Sequence, residues 1–301
     1  MIGNYAGFTG QGWNTVAIGL NAGKYYQRDN SFSIGANAGK NNQGNYAFAI
    51  GNSAGEYYQS EETIALGINA GQYNQGDSAL AIGNNAGKYY QGTGASAIGP
   101  NAGFTGQGIY ATAIGVNSGY YAQKQYACSI GNNAGYSNQQ DFATAIGYNA
   151  GYSMQGNYAA AIGFKAGYTG QGAYSVAIGY YAGKTNQAAN SIILNGDNSE
   201  LNAGTLGFFV KPINNTTGTS YLGYNPSSGE ITYSSGAPSD YRIKENVKSL
   251  DNTFHVDYLN PVSYINKQTQ KQDIGLIAHE LQEHYPELVY CLLYTSDAAD
   301  E

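Results

Sequence analysis

The sequence predicts a mainly β protein: a parallel β-solenoid or β-roll of twelve 16-residue coils, then a β connector, then a truncated α+β segment. The first observation is an apolar residue that returns every sixteen positions through residue 178. The second is the composition, with 43 Gly and 30 Tyr in 301 residues but only 11% charged residues. Self-similarity at a fixed period indicates a stack of coils, and Gly at this level excludes an ordinary helical enzyme.

The repeat fills residues 1–193. Each copy reads close to IGxNAGxxxQGxxAxA, with Gly at the second and sixth positions and Gln at the tenth in all twelve copies. The first position is held by Ile2, Ile18, Ile34, Ile50, Leu66, Ile82, Ile98, Ile114, Ile130, Ile146, Ile162 and Ile178. These registered copies define one structural unit, the shaft.

Each copy predicts one short strand. The residue two places before the Ile is usually apolar, the residues beside it are Ala, Ser or Thr, and residues two apart share one face of a strand. Gly follows at corners where a positive φ costs little. We expect the Ile column to form a continuous core and the Gln column to form an amide ladder along the stack. At ~4.8 Å per coil, twelve coils give a rod about 58 Å long.

Charge is divided unevenly along the chain. Residues 1–193 carry seven Lys/Arg against six Asp/Glu, a net charge of +1, and residues 194–301 carry six against fourteen, a net charge of −8. Neither part has the clustered basic face that nucleic-acid binding requires. The long uncharged stretches are rich in Gly, Asn and Gln, not in apolar residues. We therefore expect no nucleic-acid partner and no membrane insertion.

The shaft offers no motif for catalysis. Its acids are scattered, so they build neither a repeated calcium site nor a defined carboxylate pair, and we expect no metal and no cofactor. Tyr pairs such as Tyr25-Tyr26 and Tyr57-Tyr58 have two interpretations. They are rings packed between coils or subunits, a common use of Tyr, or flat rings presented to a glycan.

The recurring Ala-Ile-Gly followed by Asn-Ala-Gly resembles the head repeats of trimeric autotransporter adhesins over about residues 1–193. The resemblance implies a homotrimer in which each chain winds a parallel β-roll and the three rolls pack through their small-residue sides. No residue of this chain specifies the matrix binding of that family, so only the trimer is carried over.

Residues 194–238 lose the period and predict a β connector. Strand-like runs at 206–210, 221–224 and 230–233 and the turn residues at 225–229 predict a hairpin. After residue 238 Gly becomes rare and charge rises. That segment predicts a helix at 242–250 capped by Ser239. Further on, it predicts strands at 262–265 and 274–277 and a second helix at 278–284.

Residues 239–290 carry a second resemblance, to the endosialidase-type intramolecular chaperone, a self-cleaving serine peptidase family at the C-termini of phage and viral fibres. The matching residues are Ser239, Asp240, Arg242, Lys244 and Asn246, followed by the runs 259–262, 274–278 and 286–289. The run at 241–247 is similar to members from large DNA viruses of eukaryotes.

The resemblance implies that Ser239 cleaves the bond on its own N-terminal side, between Pro238 and Ser239, and that Lys244 acts as the general base. A Ser hydroxyl needs a base to become a nucleophile, and a Lys can serve when burial lowers its pKa so that it is neutral. The spacing of Ser239 and Lys244 alone favours a simple helix cap at Ser239. The long resemblance to the chaperone family favours the catalytic role instead. Pro238 supplies the carbonyl to be attacked.

Residues 291–301 match the translation of a common sequencing adapter, and we exclude them from the prediction of the fold. At the other end, the repeat is already in phase at Ile2. We therefore expect the chain to be an interior fragment of a longer fibre gene, and the segment at 239–290 to be the N-terminal part of a chaperone domain.

The leading hypothesis is a structural fibre or tail-spike-like shaft of a phage or large DNA virus, located in the virion. Its C-terminal chaperone drives trimerisation and then releases itself by a single Ser–Lys autoproteolytic event. The alternative is a non-cleaving surface adhesin that binds host glycan or protein. A glycan-degrading tailspike is disfavoured, because the shaft lacks a convergent acid pair.

Overall fold

The computed structural model describes residues 1–213, 221–225, 227–234, 259–265 and 272–285. The chain divides into two compact units, Met1–Asn215 and Thr216–Glu301. The first unit is a parallel β-solenoid, as the repeat predicts.

Each coil contributes one strand to a long sheet of thirteen parallel strands. In sheet order these are β1 (Val16–Ile18), β3 (Phe32–Ile34), β5 (Phe48–Ile50), β7 (Ile64–Leu66), β9 (Leu80–Ile82), β11 (Ser96–Ile98), β13 (Thr112–Ile114), β14 (Cys128–Ile130), β16 (Thr144–Ile146), β18 (Ala160–Ile162), β20 (Val176–Gly179), β21 (Ser191–Asn195) and β22 (Gly207–Lys211). Successive strands pair sixteen residues apart, as Ile18 does with Ile34. The strands β21 and β22 carry this sheet past residue 193.

Most coils contribute a second strand, which the sequence did not predict. These strands form two further parallel sheets: β2 (Tyr25–Gln27), β4 (Asn41–Gln43), β6 (Tyr57–Gln59), β8 (Tyr73–Gln75), β10 (Tyr89–Gln91) and β12 (Thr105–Gln107) in one, and β15 (Ser137–Gln139), β17 (Ser153–Gln155) and β19 (Thr169–Gln171) in the other. The central residue of each strand has a positive φ, 57° at Tyr26 and 55° at Asn42. Only the flanking residues therefore pair in the ladder.

The interior of the solenoid is narrow, and small residues and glutamines fill it. The middle residue of each long-sheet strand is Ala or Ser from Ala17 through Ala177, and none of these residues has any solvent exposure. The Gln column faces them from the second strand of the coil. Gln27 Nε2 donates to the carbonyl oxygens of Val16 at 2.9 Å and Ser31 at 3.1 Å. A single Gln side chain thus spans the interior.

The expectation that the Ile column forms the core is wrong. Ile18, Ile50 and Ile178 are 37%, 39% and 39% exposed in the chain, so they lie on the outside of the solenoid. Alternation along a strand separates a large-residue face from a small-residue face without saying which one is inward. An interior that one Gln spans accepts only the small-residue face.

The predicted Gln ladder is confirmed for part of the column. From Gln91 to Gln155, each Nε2 donates to the Oε1 of the next Gln along the stack at 3.1–3.3 Å. The same amides donate to backbone carbonyls of their own coil, as Gln91 does to Leu80 and Ala95. The Gln column therefore both spans each coil and joins it to its neighbours.

Gln139→Leu is expected to lower the free energy of unfolding of the solenoid by about 3 kcal/mol, because buried carbonyl groups lose their donor and gain no partner. Gln139 is fully buried. It donates to Cys128 O, Ala143 O and Gln155 Oε1 and accepts from Gln123 Nε2 and Ser129 Oγ. Chemical denaturation measures the loss. The exposed Gln125 of the preceding coil gives the control, Gln125→Leu, and an equal loss in both variants would contradict the role of the ladder.

The described part of the second unit holds two antiparallel hairpins and a short helix. β23 (Tyr221–Tyr224) pairs with β24 (Ile231–Ser234), and β25 (Pro261–Ile265) pairs with β26 (Gln272–Leu276). The helix α1 (Ala278–His284) follows. These elements confirm the predicted hairpin around residues 225–229 and the predicted helix at 278–284. The helix predicted at 242–250 lies outside the described residues.

Candidate functional site

The outward side of the long sheet is uncharged along its length and mostly apolar. In each three-residue strand the middle residue is buried and the two flanking residues face outward. We call these outward residues the outer stripe. Its first column is Val16, Phe32, Phe48, Ile64, Leu80, Ser96, Thr112, Cys128, Thr144, Ala160, Val176 and Ile192, and its second is Ile18, Ile34, Ile50, Leu66, Ile82, Ile98, Ile114, Ile130, Ile146, Ile162, Ile178 and Leu194.

No residue of the outer stripe carries a charge. Its first column changes from large side chains near Phe32 and Phe48, whose rings stack at 4.8 Å, to small ones between Ser96 and Ala160. With twelve strands at ~4.8 Å spacing and roughly 7 Å between the columns, the stripe covers on the order of 400 Å². An apolar patch of about this size is often functional.

The small-residue sides are not available for packing between chains. The Ala-rich column, for example Ala49 and Ala145, is fully buried inside a single chain. The side of the long sheet that stays accessible is the outer stripe. This corrects the expectation that the rolls pack through their small residues.

Variation among the copies of the repeat could have revealed which face is inward. The outward first column ranges in size from Phe48 to Ala160, whereas the inward column is limited to Ala and Ser through Ala177. Close-packed interiors resist changes of volume, so the face that contains the variable first column is the outward one, and the Ile column shares that face.

Cys128 is a free thiol within the outer stripe. Burial raises the pKa of this thiol above its ordinary value. Because the thiolate is the reactive form, a raised pKa lowers the reactive fraction at neutral pH. The alkylation rate of Cys128 therefore reports how well this part of the stripe is covered.

Aromatic side chains on the other faces form ladders of stacked rings. One ladder runs through Tyr110, Tyr126, Phe142, Tyr158 and Tyr174, with centroids 4.9–5.5 Å apart. A second runs through Phe104, Tyr120, Tyr136, Tyr152 and Tyr168 at 4.8–5.1 Å. The interpretation of Tyr as rings packed between coils is confirmed for these columns. Their faces are covered by the neighbouring rings.

The residues predicted to carry the cleavage, Ser239 and Lys244, lie outside the described residues, as does Pro238 at the bond to be cut. The described residues that follow them in the matching segment are those of β25, β26 and α1. The resemblance of the sequence therefore remains the basis for this pair.

No helix in the described part of the chain is long and apolar enough to cross a membrane. Within the same ranges, no three His, Cys, Asp or Glu side chains lie close enough together to hold a metal ion.

Comparison with known proteins gives one match. A sequence model of the family described as chaperone of endosialidase matches residues 239–290. No curated protein and no solved structure matches the chain. The matched range is the one in which the sequence resembles an intramolecular chaperone. After its parallel β-solenoid, the chain thus carries a segment that is similar to the endosialidase chaperone family.

Proposed function

We propose that this chain is the shaft of a homotrimeric viral fibre, and that its segment at residues 239–290 aligns three chains and then separates from the shaft. The observation that carries the proposal is the outer stripe, an uncharged apolar surface along the solenoid, in the same chain as a chaperone segment. The virion is the corresponding location. The proposal makes the shaft a structural element.

In the proposed trimer the outer stripes of three parallel solenoids face one another. Burying the Ile column removes from water the side chains that are now 36–39% exposed at Ile18, Ile50, Ile130, Ile162 and Ile178. Each buried CH₂ contributes about 0.8 kcal/mol. Threefold symmetry brings the same residues of the three chains together at each level, so the register that stacks the coils also aligns the chains.

A chaperone segment addresses the slow step of such an assembly. In the long sheet every strand pairs with residues sixteen positions away, and three chains must keep the same register. Such non-local parallel pairing forms slowly and leaves apolar surface exposed to aggregation. A module that joins the chains first makes the later winding intramolecular, and its removal leaves the trimer kinetically trapped.

The proposed separation is a single cleavage of the bond between Pro238 and Ser239. Ser239 Oγ attacks the Pro238 carbonyl carbon while a neutral Lys244 amine takes the hydroxyl proton. The bond from that carbon to the Ser239 nitrogen breaks, the nitrogen takes the proton back from Lys244, and an ester joins Pro238 to Ser239 Oγ. Water then completes the hydrolysis, leaving a carboxylate on Pro238 and a free amino group on Ser239. Each chain performs this reaction once.

Ser239→Ala is expected to abolish the cleavage, because the variant lacks the nucleophilic oxygen. The measurement is the intact mass of the products expressed from the gene. The unaltered protein should give a shaft ending at Pro238 and a second piece beginning at Ser239, and the variant a single uncut chain. Lys244→Ala should also stay uncut.

Ser227→Ala is the matched control, because Ser227 lies in an exposed turn of the preceding hairpin. This variant should be cut as the unaltered protein is. Identical product masses in the Ser239→Ala variant and the unaltered protein would refute the peptidase part of the proposal.

A further inference from the structure

A groove of about 780 Å³ runs along the axis of the solenoid over its first five coils. Its lining residues occupy four consecutive positions of the repeat, beginning with the central residue of the second strand and extending into the turn that follows. Volumes of this order are typical of ligand sites. Because the lining repeats every sixteen residues, a linear ligand with its own repeat would meet similar groups at successive coils.

One wall of the groove carries two exposed tyrosines. Tyr26 and Tyr58 are 63% and 58% exposed, and no ring–ring contact within the described residues includes either of them. Gly10 and Asn42 occupy the same column beside Tyr26. Neither ring is thus stacked on another ring, in contrast to the ladders elsewhere on the shaft.

The backbone at these tyrosines is one that bulky residues seldom adopt. Tyr26 and Tyr58 both have φ of 57°, in the left-handed region that favours Gly and Asn. Asn42 and Asn74 hold the same backbone at 55° and 54° in the intervening coils. Tyr90, in the same column beyond the groove, holds this backbone at 58°, so the left-handed residue belongs to every coil, and Asn can replace Tyr there without changing the turn.

The other wall carries hydrogen-bonding groups at the same two-coil spacing. Asp29 Oδ1 accepts from Trp13 N at 2.7 Å, and Glu61 Oε1 accepts from Asn45 Nδ2 at 3.0 Å. The ladder of side chains holds these carboxylates in place. No donor within the described residues bonds the second carboxylate oxygen of Asp29 or Glu61, so each retains an acceptor for a ligand hydroxyl.

The charge of the groove selects among ligands. Asp29, Glu61 and Asp77 line it against a single cation, Arg28, which lies 3.9 Å from Glu61. A net negative groove disfavours anionic ligands. A neutral sugar chain fits these groups. The apolar C–H faces of its sugar rings can stack on tyrosine rings, and the hydroxyl groups at the ring edges can donate to the carboxylates.

We propose that this groove binds a neutral, linear β-1,4-linked glycan, with alternate sugar rings stacked on Tyr26 and Tyr58. The two tyrosines lie two coils apart, about 9.6 Å along the axis, which is about the length of one disaccharide in an extended chain. The sugar hydroxyls donate to Asp29 and Glu61. The groove lies on the second sheet, so it opens away from the outer stripe, and the proposal depends neither on the trimer nor on cleavage.

Calorimetric titration with cellohexaose and chitohexaose tests the site on the full chain. We expect saturable binding of at least one of them, and no binding of polysialic acid. Tyr26→Asn and Tyr58→Asn should each weaken the binding by about tenfold or more, and the double variant should show no heat of binding. Asn already occupies this position at Asn42 and Asn74, so the variants keep the fold.

Tyr158→Asn provides the control, because Tyr158 is also exposed, at 52%, but its ring lies in a stacked ladder. This variant should bind as the unaltered chain does. Absence of binding by the unaltered chain, preference for polysialic acid, or unchanged binding by the double variant would each overturn the proposal.

Discussion

Ile130→Asp is expected to convert the proposed trimer into single chains while the solenoid stays folded. Ile130 lies in the outer stripe and is 37% exposed in the chain, so the fold of one chain does not require an apolar side chain there. In the trimer, three carboxylates would meet in an apolar environment. At a cost of about 4 kcal/mol in total, the association constant falls roughly 1000-fold.

Sedimentation velocity measures the number of chains in the particle, and far-ultraviolet circular dichroism shows whether the solenoid is kept. Alkylation of Cys128, two residues from Ile130 on the same face, gives a second readout in a Cys291→Ser background. We expect the thiol to be protected in the trimer and to react faster in the variant, up to the limit set by its raised pKa.

Ile109→Asp separates the effect of position from the effect of charge. Ile109 is 45% exposed but lies outside the outer stripe. This variant should sediment as the unaltered protein does. If Ile109→Asp and Ile130→Asp behaved alike, or if Ile130→Asp still assembled as three chains, the outer stripe would not be the contact surface.

Gly147→Ala is expected to have the largest effect on the solenoid itself. Gly147 has φ of +127°, and a Cβ there would lie 2.6 Å from the carbonyl oxygen of Gly163 in the next coil. The backbone strain alone costs about 1–3 kcal/mol. The clash with the neighbouring backbone cannot be relieved by a side-chain rotation, so we expect a total loss of about 4 kcal/mol.

Thermal unfolding measures this loss, which corresponds to a decrease of roughly 10 °C in Tm for a unit of this size. Gly204→Ala is the control, since no atom lies within 4 Å of the Cβ position at Gly204. Its Tm should change by only a degree or two. A Tm of the Gly147→Ala variant equal to that of the control would show that the coils do not stack as closely as described.

The repeat is what made the fold predictable. The sixteen-residue period of the Ile column gives the parallel register of the long sheet directly, since Ile18 pairs with Ile34. The Gln ladder was also predictable, because Gln occupies the same position in every copy of the repeat. The turn residues around Asn225 and Gly229 predicted a hairpin that the structure contains.

The inward face and the second strands were harder to predict, for physical reasons. The alternation of side chains along a strand shows that two faces differ but does not show which face is inward. An apolar face that contacts another chain has the same sequence pattern as an apolar face in a core. The second strands, such as Tyr25–Gln27, have a left-handed residue at their centre, which erases the alternation typical of a strand.

The two candidate sites also differ in how far the sequence alone could predict them. Ser239 and Lys244 come from a resemblance of the sequence, because their spacing alone is compatible with a plain helix cap. The groove beside Tyr26 and Asp29 has no motif at all. It arises from four neighbouring positions of the repeat brought together by the stacking of the coils, and only the structure shows which tyrosines are not stacked on another ring.

The native mass of the protein expressed from its gene tests the central claim most directly, because one spectrum gives both the number of chains and the end of each chain. The account predicts a complex of three chains, each ending at Pro238. Single chains with an unaltered outer stripe would contradict it.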